Sequence, residues 1–423
     1  MPAQARRSPR LRAQRDARVL AVASLNIAVH PLFVRAKYLA EFAVGGWFVN
    51  IGIIFAALRV MAGAPLLLCA AVSIPGGLML SVATTIVFFA AAHVIARVIC
   101  CGACGDWNEL KYERMEHAVG ELASAHDVIV FQEMMSSWMG DTHPRALVAI
   151  GQKHGFRFFC RSPPHPTLPS LGCSSGLVLL SKHPILKSSA QSFRTVSWFD
   201  AFVVNRGLLH ARIALSAEGA RSALLVDVFT THLMPSGGQL NAIVPGAAYL
   251  AGLISSQQRA QMDEVAERVR IAGATSDAVV ALGDFNIGLK AADTFASGED
   301  QRNERYVHLA RVMGSLAPPL HDVLGPRPGA VAAAHRWAHT FGHVGARSGE
   351  PAEHIITARA MLGKRVVEDF IFSTVPALSA EVLALPARAG DAFQFASDHH
   401  ALTARLDISG LCGGPTLLAG ERQ

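Results

Sequence analysis

Residues 279–286 read Val-Val-Ala-Leu-Gly-Asp-Phe-Asn, a short apolar run that ends in Gly-Asp-x-Asn. The apolar run predicts a buried strand, and Gly283 predicts a tight turn where the strand stops. This turn would hold the carboxylate of Asp284 and the carboxamide of Asn286 on one small surface. Gly-Asp turns follow many strands, so this stretch by itself does not define a functional site.

Other predicted strand ends also carry polar side chains suited to metal or phosphate chemistry. They are Gln132-Glu133, Thr231-His232, Glu368-Asp369, Ser397-Asp398-His399 and, near the end of a predicted strand at 19–27, Asn26. Carboxylate and amide oxygens are hard ligands that suit Mg²⁺, whereas no His-x-x-x-His or doubled Cys-x-x-Cys pattern indicates a zinc cage. We therefore take Glu133, Asn26 and Asp398 as candidate metal ligands, with Mg²⁺ as the predicted ion and Mn²⁺ as the alternative.

The remaining polar residues at these strand ends suggest an acid–base reaction. His399 is the candidate general base because imidazole titrates near neutral pH, and Asp369 would fix its tautomer. Asp284 and Asn286 would orient a water molecule, and His232 would donate to a phosphate oxygen. The set predicts metal-assisted attack of water on a phosphoryl centre. The chain has 18 histidines, and a structural role is the alternative for each of them.

The composition predicts a membrane segment in an otherwise globular chain. Hydrophobic residues make up 51% of the 423 residues, charged residues make up 17%, and the mean hydropathy is +0.32. Residues 38–60 and 66–96 form two apolar segments, each near or above the roughly 20 residues that span a bilayer. A pair of buried helices in a soluble core is the alternative, but the segments have no balancing polar face.

Basic residues flank the two apolar segments. Six arginines lie within residues 1–18, Arg35 and Lys37 precede the segments, and Arg97 follows them. The positive-inside rule then predicts a membrane protein whose catalytic part faces the cytosol, and the basic tail would suit anionic lipid. No aromatic residue interleaves these arginines, so no nucleic-acid partner is expected. The organelle is left open.

Three cysteines directly follow the second apolar segment: Cys100, Cys101 and Cys104. This position predicts reversible palmitoylation, with unmodified thiols as the alternative. The seven cysteines of the chain are scattered and odd in number, so a disulfide framework is not expected.

The chain divides into five predicted parts. These are a disordered basic tail (1–18), the first strand of the catalytic domain (19–30), a hydrophobic hairpin with its cysteines (31–104), the rest of the catalytic domain (105–410) and a second tail (411–423). A helix is predicted over 108–125, with Lys111, Glu113, Arg114 and Glu116 on its exposed face. A second helix is predicted over 257–271. Strands are predicted at 127–131, 156–160, 176–181, 207–214, 223–231, 278–282, 366–372 and 402–406, and loops at 161–175 and 316–354. This alternation predicts an α/β fold.

These motifs resemble, in their order along the chain, those of the endonuclease/exonuclease/phosphatase superfamily. The matching segments are 19–27 and roughly 106–408, and they include Gly176–Ile185 and Thr231-His232-Leu233 in addition to the strand ends above. The resemblance implies a four-layer α/β sandwich, in which two mixed sheets pack face to face with helices outside. In this chain the hydrophobic hairpin would be inserted after the first strand. The resemblance also implies magnesium-dependent cleavage of phosphodiesters or phosphomonoesters.

Within the superfamily the chain looks most like the neutral sphingomyelinases. One feature is Gly-x-x-x-x-Ser-Lys-x-Pro-Ile at 176–185. A second is Asp200 with Arg206-Gly207, where the family usually has Lys-Gly, and a third is Arg259, which lies one place nearer to Gln261 than usual. The hydrophobic hairpin with its cysteines is the fourth. In the membrane-bound animal enzymes the hairpin precedes the first strand instead of following it. The resemblance implies that Glu133 and Asn26 hold magnesium, that Arg206 contacts the substrate phosphate, and that the products are ceramide and phosphocholine or another phosphorylated head group.

Two alternatives are kept. One is another enzyme of the same fold, either a membrane-anchored inositol-phosphate or phosphoinositide phosphatase or a nuclease. The 5-phosphatases carry Trp-Cys-Asp-Arg where this chain has Val-Val-Glu-Asp-Phe-Ile at 366–371. A nuclease would need a basic and aromatic groove. The other alternative is a non-catalytic scaffold with the same fold, which the intact set of polar strand ends disfavours.

The order of the segments gives a testable prediction of topology. Asn26 precedes both apolar segments and Glu133 follows them, so a shared active site requires an even number of membrane crossings between them. Replacing residues 38–98 with a short flexible linker should leave a folded domain that is active on detergent-solubilised substrate and weaker on intact vesicles. Protease protection in sealed microsomes tests the same point. If residues 1–18 and 105–110 lie on opposite faces, Asn26 is not a metal ligand.

Overall fold

The computed structural model describes residues 19–27, 54, 73–76, 110–136, 141–163, 174–196, 205–216, 223–235, 251–290, 304–325, 339–342, 366–388, 391 and 393–411. No helix within these ranges is long and apolar enough to cross a membrane. The predicted hairpin lies outside them except for residues 54 and 73–76, and so do Cys100, Cys101 and Cys104. Membrane insertion and palmitoylation therefore stay predictions.

The described residues contain twelve strands and four α-helices with assigned bounds, and residues 54 and 73–76 are also helical. The strands are β1 (Val19–Asn26), β2 (Val128–Gln132), β3 (Phe158–Arg161), β4 (Val178–Ser181), β5 (Ile185–Ser192), β6 (Gly207–Leu215), β7 (Leu224–His232), β8 (Ala278–Lys290), β9 (His321–Asp322), β10 (Val366–Ser373), β11 (Ala377–Leu383) and β12 (Ala401–Asp407). The helices are α1 (Lys111–Ala123), α2 (Thr142–Lys153), α3 (Ala251–Gly273) and α4 (Glu304–Gly314), and a short 3₁₀ helix (Ser409–Leu411) follows β12.

The strands form two mixed sheets of six. The first has the order β11-β12-β1-β2-β4-β3, and the second has the order β5-β6-β7-β8-β10-β9. β1 pairs with β2 in parallel and β7 pairs with β8 in parallel, while the other pairings are antiparallel. β1 therefore lies inside a sheet, between β12 and β2.

Alternation along β1 shows how the layers are built. Leu20 and Val22 point into the core between the two sheets, where they join residues such as Val228 and Val280. Ala23 and Leu25 point the other way and pack beneath α1 and α2. Successive side chains of a strand face opposite sides, so each buried strand contributes to two cores.

A third core lies on the outer face of the second sheet, under α3 and α4. It includes Phe229, Phe285 and Phe370 from the sheet and Met262 and Leu309 from the two helices. Helices thus cover the outer faces of two sheets that pack against each other, which is the four-layer α/β sandwich that the family resemblance implies.

Several elements differ from the sequence prediction. β8 does not stop in a turn at Gly283 but continues to Lys290, with positive φ angles at Gly283, Asn286 and Gly288 inside the strand. The helices α2 and α4 and the strands β5, β9 and β11 were not predicted. All residues of β5 and β11 are exposed or half-exposed. β5 is mostly polar, and Ser379 and Glu381 interrupt the apolar residues of β11, so neither has the unbroken apolar signal of a buried strand.

The predicted exposed face of α1 is wrong at two positions. Lys111 and Arg114 are buried, whereas Glu113 and Glu116 are exposed as predicted. The first turn of α1 faces the end of β1, where backbone carbonyls need donors, and Arg114 supplies them.

A buried ion cluster joins β6 to β7 away from the strand ends discussed above. Asp227 is fully buried, and its carboxylate accepts from His210 Nε2 at 2.8 Å and from Arg212 at 2.9 and 2.7 Å. Burial by itself would raise the pKa of Asp227, but the hydrogen bonds from Arg212 and His210 lower it to about 2. Arg212 also donates to the carbonyl of Ala272 at the end of α3, so the cluster ties that helix to the sheet.

This cluster predicts an acid-sensitive component of stability. Because the folded-state pKa of Asp227 lies below its unfolded value, its stabilisation is complete above about pH 4 and is lost as the pH falls towards about 2. The shift corresponds to about 2 kcal/mol of unfolding free energy. In urea unfolding, Asp227→Asn should have a lower free energy of unfolding than wild type at neutral pH. As the pH falls from about 4 to about 2, this free energy should decrease less steeply in the variant than in wild type. Asp263→Asn, at a mostly exposed site, is the control, and equal pH slopes for Asp227→Asn and wild type would contradict the assignment.

Candidate active site

The strand register of the second sheet brings three predicted site residues together. The parallel pairing of β7 and β8 sets His232 opposite Asp284, and the antiparallel pairing of β8 and β10 sets Asp369 opposite Asp284. Residues in one row across a sheet project to the same face. His232 Nε2 lies 3.4 Å from Asp284 Oδ2.

The first sheet adds two more predicted residues at the same edge. Asn26, at the end of β1, donates from Nδ2 to Asp284 Oδ2 at 3.0 Å. Glu133 directly follows β2, and its Oε1 lies 3.9 Å from His232 Nε2. The carboxyl ends of both parallel strand pairs therefore meet at one site, at the edge of the interface between the sheets.

His399 reaches this site from the segment before β12. Its Nδ1 is paired with Asp369 Oδ2 at 2.8 Å, and its Nε2 lies 3.9 Å from Asp284 Oδ2. Burial by itself would lower the pKa of His399, but the charges of Asp369, Asp284 and Asp398 and the hydrogen bond to Asp369 raise it well above its ordinary value. The Asp369 contact fixes the ring so that Nε2 points towards Asp284.

Asp284 is the central carboxylate of the cluster. Its Oδ1 accepts the backbone N–H of Asn286 at 2.8 Å, and its Oδ2 accepts from Asn26. Burial and repulsion from Asp369 raise the pKa of Asp284 to about 7. Asn286 also donates from Nδ2 to the carbonyl of Leu233, so it ties β8 to the segment after β7.

The donor atoms fit a hard divalent cation. Ligand atoms of Asp284, Asp369 and His399 lie within 4.8 Å of one another. Asp369 Oδ1 is buried, and among the described residues it has no hydrogen-bond partner. Clustered buried carboxylates with a spare oxygen are costly unless a cation neutralises them. Oxygen donors of this kind suit Mg²⁺.

The predicted metal ligands share no residue with the cluster of Asp284, Asp369 and His399 that the structure brings together. Glu133 lies at the site beside His232, and Asn26 lies there hydrogen-bonded to Asp284. Asp398 is buried beside it, where Ser397 Oγ lies 3.4 Å from its Oδ1. Asp284, which was predicted to orient water, belongs to the cluster that could hold a cation. The ligand role of Glu133, Asn26 and Asp398 stays a prediction.

Unusual backbone conformations surround the site. Glu133 and Asn286 have φ angles of 62° and 51°, in the left-handed region that non-glycine residues seldom adopt. Gly283 has φ of 144°, and a Cβ there would lie 2.2 Å from the carbonyl oxygen of Thr231. Only glycine therefore lets β8 approach β7 directly before Asp284. Residues held in such conformations cluster at functional sites.

Arg206, the predicted phosphate contact, is buried just before β6. Its Nη1 donates to the carbonyl oxygens of Leu233 at 2.7 Å and His232 at 3.4 Å. These bonds hold the end of β7, next to the site. Its contact with substrate stays a prediction, and Asp200 lies outside the described residues.

Three glutamines support the site, of which the sequence analysis missed Gln258 and named Gln132 and Gln261 without these contacts. Gln258 donates from Nε2 to the carbonyls of Met234, Phe285 and Asn286, at 2.9, 3.2 and 2.9 Å. Gln261 accepts the backbone N–H of Met234. Gln132 donates to Ser24 in the first sheet and Thr230 in the second. The Arg-x-Gln pattern drew attention to Gln261, but its arginine, Arg259, pairs with Glu304 on the surface.

Comparison with known protein families identifies the class of protein to which the chain belongs. Residues 108–399 match the Endonuclease/Exonuclease/phosphatase family, and the chain belongs to that family. Its members share hydrolase chemistry on phosphoester bonds, which suits a buried His–Asp pair beside a carboxylate cluster. No curated protein matches the chain.

Three solved structures are similar to this chain at low sequence identity. Sphingomyelinase C from Streptomyces griseocarneus has 13% identity and a TM-score of 0.47, over 70% of this chain and 92% of its own. A mutant beta toxin from Staphylococcus aureus with bound magnesium ions has 16% identity and a TM-score of 0.45, over 70% and 92%. Truncated TDP2 from Caenorhabditis elegans has 14% identity and a TM-score of 0.42, over 72% and 94%.

Two His–Asp pairs in this chain make a matched test of catalysis. His399–Asp369 lies at the site and His210–Asp227 lies in the structural cluster, and each has an N–O distance of 2.8 Å. His399→Ala should lower turnover about 10²- to 10⁴-fold, as expected for loss of a general base. His210→Ala should lower thermal stability but leave the turnover of the folded protein near wild type. Turnover of His399→Ala within about threefold of wild type at neutral pH would assign the base elsewhere.

Proposed function

We propose that this protein is a magnesium-dependent phosphodiesterase of the phospholipase C type, which hydrolyses sphingomyelin or a related phosphosphingolipid to ceramide and a phosphorylated head group. The observation that carries the hydrolytic part is the buried His399–Asp369 pair directed at Asp284. The two sheets contribute opposite sides of this site, so its groups are fixed before substrate binds.

Each side chain of the site has a separate role in the proposed hydrolysis. Asp369 accepts from His399 Nδ1, which leaves Nε2 to take a proton from the attacking water. Asp284 and Asn286 orient that water, and His232 donates to the phosphoryl group as negative charge develops on it. Mg²⁺, when bound, would polarise the phosphoryl oxygen and offset the charge of the carboxylates that hold a proton on His399.

The choice of a lipid substrate rests on the sequence. Segments 38–60 and 66–96 would anchor the chain at a bilayer, and the Gly176–Ile185 and Arg206-Gly207 motifs resemble those of sphingomyelinases. The place of β1 inside the first sheet supports an arrangement in which both ends of the intervening segment lie on one side of the membrane. We infer a membrane location with the catalytic domain facing the cytosol, contact with anionic lipid through the basic tail, and no nucleic-acid partner.

A substrate panel and one carboxylate variant test the proposal. The full-length protein should release phosphocholine from sphingomyelin in mixed micelles, should stop in excess chelator, and should act poorly on inositol polyphosphates and DNA. Glu133→Gln keeps the shape but removes a charge, so activity should fall at least about 10²-fold and should recover in part at high magnesium. Glu121→Gln on the exposed face of α1 is the control.

The outcomes of this panel separate the alternatives. Full activity of Glu133→Gln, or of wild type in chelator, would exclude the proposed metal site. Preference for an inositol phosphate or for DNA would keep the metal-dependent hydrolase and replace the lipid substrate. No hydrolysis of any member of the panel would contradict the proposed function.

A further inference from the structure

Arg114 lies in the first turn of α1 and is fully buried. Its Nη1 donates to two carbonyl oxygens, that of Ile27 at 2.8 Å and that of Ala396 at 2.9 Å. Ile27 directly follows Asn26, and Ala396 directly precedes Ser397-Asp398-His399. One nitrogen atom therefore holds together two chain segments that each carry a residue of the candidate site.

Further hydrogen bonds close this arrangement into a ring. Ser397 Oγ donates to the carbonyl of Asn26 and also accepts the backbone N–H of His399 at 3.1 Å. The segment that carries His399 is thus held to the end of β1 at Ser397 and again, one residue earlier, through Arg114. Two adjacent attachments fix both the position and the direction of a segment, whereas one leaves it free to pivot.

Charge makes the Arg114 contact hard to replace. A guanidinium group is always ionised, and its hydrogen bonds to carbonyls are stronger than those of a neutral donor. Each of the two carbonyls would otherwise be a buried acceptor with one partner fewer. Arg114 is the fourth residue of α1, so the helix holds its backbone. Its side chain therefore reaches the carbonyls of Ile27 and Ala396 from a rigid element.

We propose that Arg114 is a positioning residue, which sets His399 against Asp284 and Asn26 by joining the end of β1 to the segment before β12. It does not touch the reacting atoms. Its expected effect on turnover rests on the proposed function, but its effect on the structure of the His399 segment does not.

The test compares Arg114→Met with Arg145→Met in the full-length protein. Arg145 is a matched control, because it is the fourth residue of α2 but is mostly exposed and pairs with Asp141 at 2.7 Å. Arg114→Met should lower kcat about 10²-fold, the loss expected from a small misplacement of a catalytic group. KM should change less than about threefold. Arg114→Lys keeps the charge on a shorter side chain and should recover part of the lost turnover.

Hydrogen–deuterium exchange gives a readout that does not depend on the substrate. In Arg114→Met, exchange should rise in peptides that cover residues 26–27 and 396–400, while β7, β8 and β10 keep wild-type protection. The Arg145→Met control should leave both regions unchanged. If wild type hydrolyses none of the substrates, the proposed function fails and the exchange result alone still decides the role of Arg114.

Three results would overturn the proposal. The first is wild-type exchange at 396–400 in folded Arg114→Met. The second is a fall in kcat no larger than that of Arg145→Met. The third applies if Arg114→Met does not fold. Arg114→Lys, if it has wild-type stability, should then show faster exchange at 396–400 and a lower kcat than wild type. If it shows neither change, the proposal is wrong.

Discussion

The hydrogen bond from Asn26 to Asp284 is the contact on which the site depends, because it joins the two sheets at the point where the polar residues gather. Asp284 is buried together with Asp369 and Glu368, and burial with mutual repulsion raises the pKa of both Asp284 and Glu368 above ordinary values. Several carboxyl groups in a space without water are tolerable only with donors, protons or a cation around them. Asn26, His399 and the backbone of Asn286 supply donors. Asp369 Oδ1, which has no hydrogen-bond partner among the described residues, could bind a cation.

A polar seam between the sheets supports this contact. Gln132 bridges Ser24 and Thr230 between the inner faces of the two sheets. From α3, which covers the outer face of the second sheet, Gln258 donates to the carbonyls of Met234, Phe285 and Asn286. Hydrogen bonds in a low-dielectric interior are strong when every partner is satisfied, and they select one register of the two sheets over others of similar apolar burial. The seam therefore orients the site as well as holding the sandwich together.

Much of the sheet framework could be predicted because buried strands carry an unbroken apolar signal, as in 128–131 and 279–282. The polar strand ends could be found for the same reason, since an apolar run that stops in acids or histidines stands out. Contacts between distant segments could not be predicted. Nothing near Asn26 in the sequence indicates Asp284 as its partner, and Arg114 looked like a surface charge because charge is usually exposed. The β-bulge between Val367 and Asp369, and the continuation of β8 through Gly283, depend on neighbouring strands and leave no local signal.

The position of β1 also bears on how the chain reaches its native state. β1 pairs with β2, about a hundred residues later, and with β12, the last strand of the described residues. During synthesis β1 leaves the ribosome long before either partner exists, so its edge towards β12 stays unpaired until residues 401–407 have been made. Pairings this distant in sequence close slowly. Loss of residues 401–407 would therefore leave β1 with β2 as its remaining partner in the sheet. Until β12 is made, the unpaired edge of β1 is a surface of the kind that chaperones protect from aggregation.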